Sequence, residues 1–127
     1  MTPDTFSSMA SRLNPVVRVR PILDAIQFRL GPKAFATLGW PQQGWAAIKL
    51  DSRDQAWALG LSGGLAPEPG RRRRSGIVLV RLAAVDAAVV AELLGAAWSH
   101  ALGQAAAAER RPRKTDEMRR ASAAAAA

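Results

Sequence analysis

The fold of this chain is constrained most by residues 28–50, which read FRLGPKAFATLGWPQQGWAAIKL. Apolar and polar residues alternate over 28–30 and again over 48–50, as expected for half-buried strands. Gly31-Pro32 separates residues 28–30 from a second run over 33–40, and Pro41-Gln42-Gln43-Gly44 separates that run from a third over 45–50. Glycine and proline in such positions indicate tight turns. The segment therefore predicts three antiparallel strands, and the rest of the chain must cover at least one face of them.

Three helices are predicted around this meander. Thr2 and Pro3 suit a helix start, and Asn14-Pro15 ends the apolar spacing, which predicts a helix over 3–13. Ser52 and Gln55 form a capping-box pattern that predicts a second helix over 53–61, closed by Gly63-Gly64. Asp86 is the expected cap of a third and longest helix, which ends at Gly103.

A further strand is predicted over 77–82, where β-branched residues are frequent. Residues 16–27 read either as a linker or as an additional edge strand, and we expect a loop with a strand at its end. The fold class is thus α+β, a two-layer sandwich of an antiparallel sheet covered by helices, in the order α-β-β-β-α-β(β)-α. We expect one domain over 1–104 and a disordered, alanine- and arginine-rich tail over 105–127.

Composition limits the classes of function. The chain has 127 residues, a net charge of +8 and no cysteine, so disulfides and thiolate chemistry are excluded. Its first residues resemble no signal peptide, and Asp86 and Glu92 interrupt the most apolar window, so we expect a cytoplasmic protein with no membrane segment. The positive net charge has two possible origins, selection for binding an anionic partner or the arginine bias of a GC-rich genome.

The sharpest functional feature is the arginine loop, defined as Arg71, Arg72, Arg73 and Arg74. Four guanidinium groups beside a strand could lie along a phosphate backbone and bind it without sequence preference. A solvated loop that touches nothing is the alternative. Arg29, Lys33 and Arg81 would extend the site if they share the exposed sheet face. Trp45, the tryptophan expected to be most exposed, could stack on bases, whereas Trp57 and Trp98 are expected in the core.

No catalytic constellation is recognisable in the sequence. His100 is the only histidine, and it has no partners at the spacing of a catalytic triad, so we expect an ordinary helical surface residue. Metal ligands are lacking, and Gly60 to Gly64 lacks the lysine and hydroxyl of a phosphate loop. We therefore expect no enzyme, no metal and no cofactor.

Several motifs, in order over about residues 1–102, resemble the MmcQ/YjbR family of small bacterial proteins. They are Met1-Thr2-Pro3-Asp4-x-Phe6, Phe28-Arg29-x-Gly31-x-Lys33-x-Phe35-Ala36-Thr37-Leu38, Gly44-Trp45, Lys49-Leu50, Pro67-x-Pro69-Gly70, Val80-Arg81-Leu82, Val85-Asp86 and Ala96-Ala97-Trp98. The resemblance implies a secretion-chaperone-like α/β domain with a double-wing DNA-binding motif. Gly31-Pro32 departs from the family's Gly-Gly turn, so the turn type there must differ.

Charge and resemblance together predict a non-enzymatic protein that binds DNA weakly and without sequence preference through the arginine loop. The alternative is a protein-interaction or chaperone-like module. Its partner would meet the apolar segment from Val16 to Ile26 or the exposed face of the sheet.

Overall fold

The computed structural model describes residues 1–70 and 75–110. Within these ranges the chain forms three α-helices and six strands. Their bounds in chain order are α1 Pro3–Ser11, β1 Arg18–Ile22, β2 Ala25–Leu30, β3 Lys33–Leu38, β4 Trp45–Lys49, α2 Gln55–Leu59, β5 Leu65–Pro67, β6 Ile77–Arg81 and α3 Ala87–Arg110. The predicted α+β class is confirmed.

The described strands form one sheet in the order β1-β2-β3-β4-β6-β5, and all neighbours are antiparallel. Short turns join β1 through β4, which explains why these strands pair with their sequence neighbours. β4 and β5 both run antiparallel to β6 and are therefore parallel to each other. The connection from β4 to β5 contains α2, and β6 later inserts between these two strands.

The core lies on one face of the sheet. Phe28, Ala36, Ile48 and Val78 follow one another across β2, β3, β4 and β6, and all four are buried. Each helix contributes to the same cluster, α1 through Phe6 and Ala10, α2 through Ala58, and α3 through Val90, Leu93, Leu94 and Ala97. The helices thus form a second layer, and the opposite sheet face is not part of this core.

Strand β1 adds a fourth strand to the predicted meander. The sequence prediction of a loop in this region was wrong for 18–22, because the strand is exposed along its whole length and lacks the burial pattern that reveals a strand. Pro21 is tolerated there because β1 lies at the edge of the described sheet, where a missing N–H breaks no ladder.

The predicted helix ends need correction. The expected capping box is absent, since Asp51 caps a 3₁₀ turn over Ser52–Asp54 and the Gln55 amide donates to the Ile77 carbonyl. The second helix spans Gln55–Leu59 rather than 53–61. The caps at Thr2 and Asp86 are confirmed by hydrogen bonds from the N–H groups of Thr5 and Val89.

Gly103 does not end the third helix, which continues to Arg110. Alanine has the highest helix propensity, so the run over 105–108 carries the helix past the glycine. Residues 105–110 are thus helical, which corrects the expectation of a disordered tail for that part. The remainder of the predicted tail, 111–127, lies outside the described residues.

Candidate nucleic-acid interface

The sheet face opposite the helices, hereafter the open face, carries most of the basic residues of the described strands. Because side chains alternate along a strand, neighbours of the buried Phe28, Ile48 and Val80 point away from the core. The cations placed there by strand register are Arg18, Arg20, Arg29, Lys49 and Arg81.

The open-face cations gather mainly at one end of the sheet. Arg18 pairs across the strands with Arg29, and Lys33 follows after the β2–β3 turn. Lys49 ends β4 and its Nζ donates to the carbonyl of Ser75. Gly70 and Ser75, which flank the arginine loop, therefore belong to this end. Arg71, Arg72, Arg73 and Arg74 themselves lie outside the described residues.

Arg29 is partly engaged by its own turn. One Nη donates to the carbonyl of Pro32, while its buried Nε has no hydrogen-bond partner within the described part of the chain. Gly31 has a φ of +60°, which glycine adopts without strain and which a type II′ turn requires at its first position. The pairing of β2 with β3 has a bulge at Phe28 and Arg29, just before this turn.

Arg81 and Trp45 lie at the other end of the open face. They are cross-strand partners on β6 and β4, Arg81 exposed and Trp45 half-buried. Lys49 lies four residue positions after Trp45 on β4, which is about 13 Å along the strand. Arg29, Trp45 and Arg81 thus share the open face, with Arg29 at one end and Trp45 and Arg81 at the other. Lys33 is the cross-strand partner of the core-packed Leu30, so the register does not place it on this face.

A groove of about 790 Å³ crosses the open face over β2, β3 and β4. Its floor includes Ala25, Gln27, Thr37 and Ala47, which occupy neighbouring strands. At one end the β1–β2 turn and the loop from Gly39 to Gln43 form the rim. The other end is lined by Lys49, Glu68, Ile77 and Gln104.

Trp40, on the rim of this groove, is an exposed aromatic residue that sequence reasoning did not single out. Its side chain is 51% exposed. Trp45, which was expected to be the most exposed tryptophan, is more buried than Trp40. The position of Trp40 directly before Pro41 in a loop was the available signal. Trp57 is 47% exposed, so its predicted core position was wrong. Trp98 is half-buried and packs edge-on against Phe35, with the ring centroids 5.5 Å apart.

His100 lies close to Asp51 rather than at a free surface. The distance from its Nδ1 to a carboxylate oxygen of Asp51 is 3.8 Å, and its side chain is 16% exposed. Arg53 donates to both oxygens of the same carboxylate, at 3.2 and 3.0 Å. These hydrogen bonds hold the pKa of Asp51 down at about 2. The cluster joins the 3₁₀ turn to α3.

The described ranges, 1–70 and 75–110, contain neither a metal-binding cluster nor a membrane-spanning helix. No group of three or more histidine, aspartate or glutamate side chains there is arranged to hold a metal ion. Among the same residues, no helix combines the length and the apolar character that crossing a membrane requires.

Comparison with known proteins adds no relative. No protein-family model, curated protein or solved structure matches the chain. The resemblance to the MmcQ/YjbR family therefore stays a prediction from the sequence motifs, and the open face with its groove has to be interpreted from its own residues.

Proposed function

We propose that this protein binds nucleic acid, DNA included, weakly and without sequence preference, and that it does so without catalysis. The observation that supports this function most directly is the shared placement of Arg18, Arg20, Arg29, Lys49 and Arg81 on one sheet face. Each cation that neutralises a phosphate releases condensed counterions, so several on one surface bind a polyanion cooperatively.

The arginine loop extends this proposal from the sequence. Its four guanidinium groups follow Gly70 and precede Ser75, which the Lys49 amine contacts at the more basic end of the sheet. Phosphate contacts from this loop would add to those of the open face. The resemblance to a family with a double-wing DNA-binding motif favours the same function.

The salt dependence of binding tests the proposal. We expect Arg18→Gln/Arg20→Gln to weaken binding of the full-length chain to a DNA duplex and to lower the slope of log K against log salt by up to about 1.8, or 0.9 per lost phosphate contact. Replacing Arg71, Arg72, Arg73 and Arg74 by alanine should lower it by up to about 3.6. Fluorescence anisotropy at two salt concentrations gives both values.

The matched control removes two charges from the helical layer. Arg12 and Arg53 are exposed there, and the double variant Arg12→Gln/Arg53→Gln has the same net charge as Arg18→Gln/Arg20→Gln. An equal loss of affinity in both double variants would show an effect of net charge alone and would contradict the open face. Absence of binding to duplex and to single-stranded DNA alike at about 50 mM salt would refute the function itself.

A second function is favoured by exposed apolar residues at the β1 edge. Val16, Val19, Ile22 and Leu23 are 55%, 50%, 38% and 99% exposed, and Leu23 has a left-handed φ of +52°. Such a patch is typical of a protein-binding surface. Arg18, Arg20 and Pro21 on the same strand disfavour pairing with a second copy, so we propose a different, acidic segment as the partner.

Size-exclusion chromatography with light scattering should accordingly find a monomer. An acidic, extended peptide should bind to it, and the double variant Val19→Ser/Leu23→Ser should lower the affinity for this peptide at least about tenfold. The control Leu102→Ser alters an apolar residue of similar exposure, 47%, on α3. Equal peptide affinity of the unmodified protein, the double variant and the control variant would exclude the β1 edge as the contact.

A further inference from the structure

On the basis of the proposed nucleic-acid function, we infer that the ligand of the open face is a single strand whose bases enter the groove and stack on Trp40. The inference goes beyond phosphate binding, because it assigns the groove and its rim a direct role. It depends on three features: the width of the sheet, the composition of the groove, and the way the rim loop is held.

The width of the sheet argues against insertion into a duplex. Six strands about 4.8 Å apart span about 24 Å, whereas the major groove of DNA is about 12 Å wide and admits a helix or a two-stranded ribbon. The described helices cover the other face of the sheet. A duplex lying on the open face would therefore touch phosphate-binding side chains and leave the groove and Trp40 unused.

The groove has the division of roles that an unpaired strand requires. Small and uncharged polar side chains form its floor, namely Ala25, Gln27, Thr37 and Ala47. Gln27 is the cross-strand partner of Arg20, so a cation lies beside the floor on the β1 side. Lys49 lies at the end of the groove. Bases would enter the uncharged floor while the flanking cations follow the phosphates, as in other single-strand binders.

Trp40 is presented by a loop that is fixed at several points. The N–H of Gly39 donates to the carbonyl of Trp45 at 2.7 Å, and the N–H of Trp45 donates to Gln42 at 3.2 Å. The amide of Gln43 donates to the carbonyl of Asp24 at 2.8 Å, which joins the loop to the β1–β2 turn. A half-exposed indole on a fixed loop is a preorganised stacking surface, which reduces the entropy lost on binding.

The experiment compares a labelled oligothymidine with a duplex of equal length, using the full-length chain. We expect the single strand to bind more tightly, and Trp40→Leu to weaken its binding at least about fivefold with little change for the duplex. Trp40→Phe, which keeps an aromatic face, should restore most of the affinity. Trp57→Leu is the matched control, because Trp57 is 47% exposed and does not line the groove.

The outcomes separate this inference from the function on which it depends. Equal single-strand affinity for Trp40→Leu and Trp57→Leu, or tighter binding of the duplex than of the single strand, would overturn the role of the groove. If Arg18→Gln/Arg20→Gln still weakened binding in that case, phosphate binding by the open face would stand. Failure of the unmodified protein to bind either ligand would refute both.

Discussion

Substitution of Gly76 by alanine is expected to lower the free energy of unfolding by about 3 kcal/mol or more. Gly76 has a φ of +89°, which side chains with a Cβ rarely adopt. A Cβ built there would lie 2.2 Å from the carbonyl oxygen of Leu50, and that atom is backbone and cannot rotate away. The Leu50 N–H also donates to the Gly76 carbonyl at 3.0 Å, so relief of the overlap would separate two strand ends.

Gly44→Ala is the matched control for this substitution. Gly44 has a similar φ of +84°, but a Cβ there would meet no atom within 4 Å. The free energy of unfolding of the alanine variant should fall only by the cost of placing a Cβ residue in the left-handed conformation, about 1–2 kcal/mol. Urea denaturation of both variants separates strain from overlap, and a difference of less than about 0.5 kcal/mol between them would contradict the close approach at Gly76.

The second large effect is expected at Phe28. Its side chain is fully buried where α1 meets the sheet, and its ring contacts Phe6 edge-to-face with centroids 6.1 Å apart. Phe28→Ala should cost about 3–5 kcal/mol, because both the transfer free energy and a cavity are involved. Thermal or urea unfolding of the variant measures the loss, and a cost below about 1.5 kcal/mol would argue against this packing.

A double-mutant cycle with Phe6→Leu and Phe28→Leu isolates the contact between the two rings. Leucine keeps both positions apolar and filled, so the variants remain folded. The coupling free energy should be about 0.5–1.5 kcal/mol, the usual contribution of an edge-to-face pair beyond area burial. Additive losses would show that α1 is held to the sheet by burial without a specific ring geometry.

Elements with strong local signals were predictable from the sequence. The strands of the meander alternate or are rich in β-branched residues, and their turns contain glycine and proline, so their positions are correct to within two or three residues. Thr2 and Asp86 were recognisable as caps because threonine and aspartate are favoured at that position, where the side chain accepts a hydrogen bond from an N–H three residues later. These signals are local, because each residue acts on a backbone only a few positions away in the sequence.

Features decided by distant contacts were not predictable. β1 is a strand because β2 pairs with it, although its own residues are exposed throughout. Gln55 was assigned to a helix cap, yet its amide donates to Ile77, 22 residues away, because β6 passes beside α2. The candidate interface shows the same limit: Arg29, Lys49 and Arg81 were visible as charges, but only the register places them on one face.

The path of the chain through the sheet bears on how the protein is made. β6 comes last among the described strands, yet it occupies an interior position between β4 and β5. While the chain emerges from the ribosome, β5 has no neighbour, and the far side of β4 stays open until residue 81 has been synthesised. Closure of the sheet is therefore a late, long-range step, and until then β4 is an exposed template for pairing with other nascent chains.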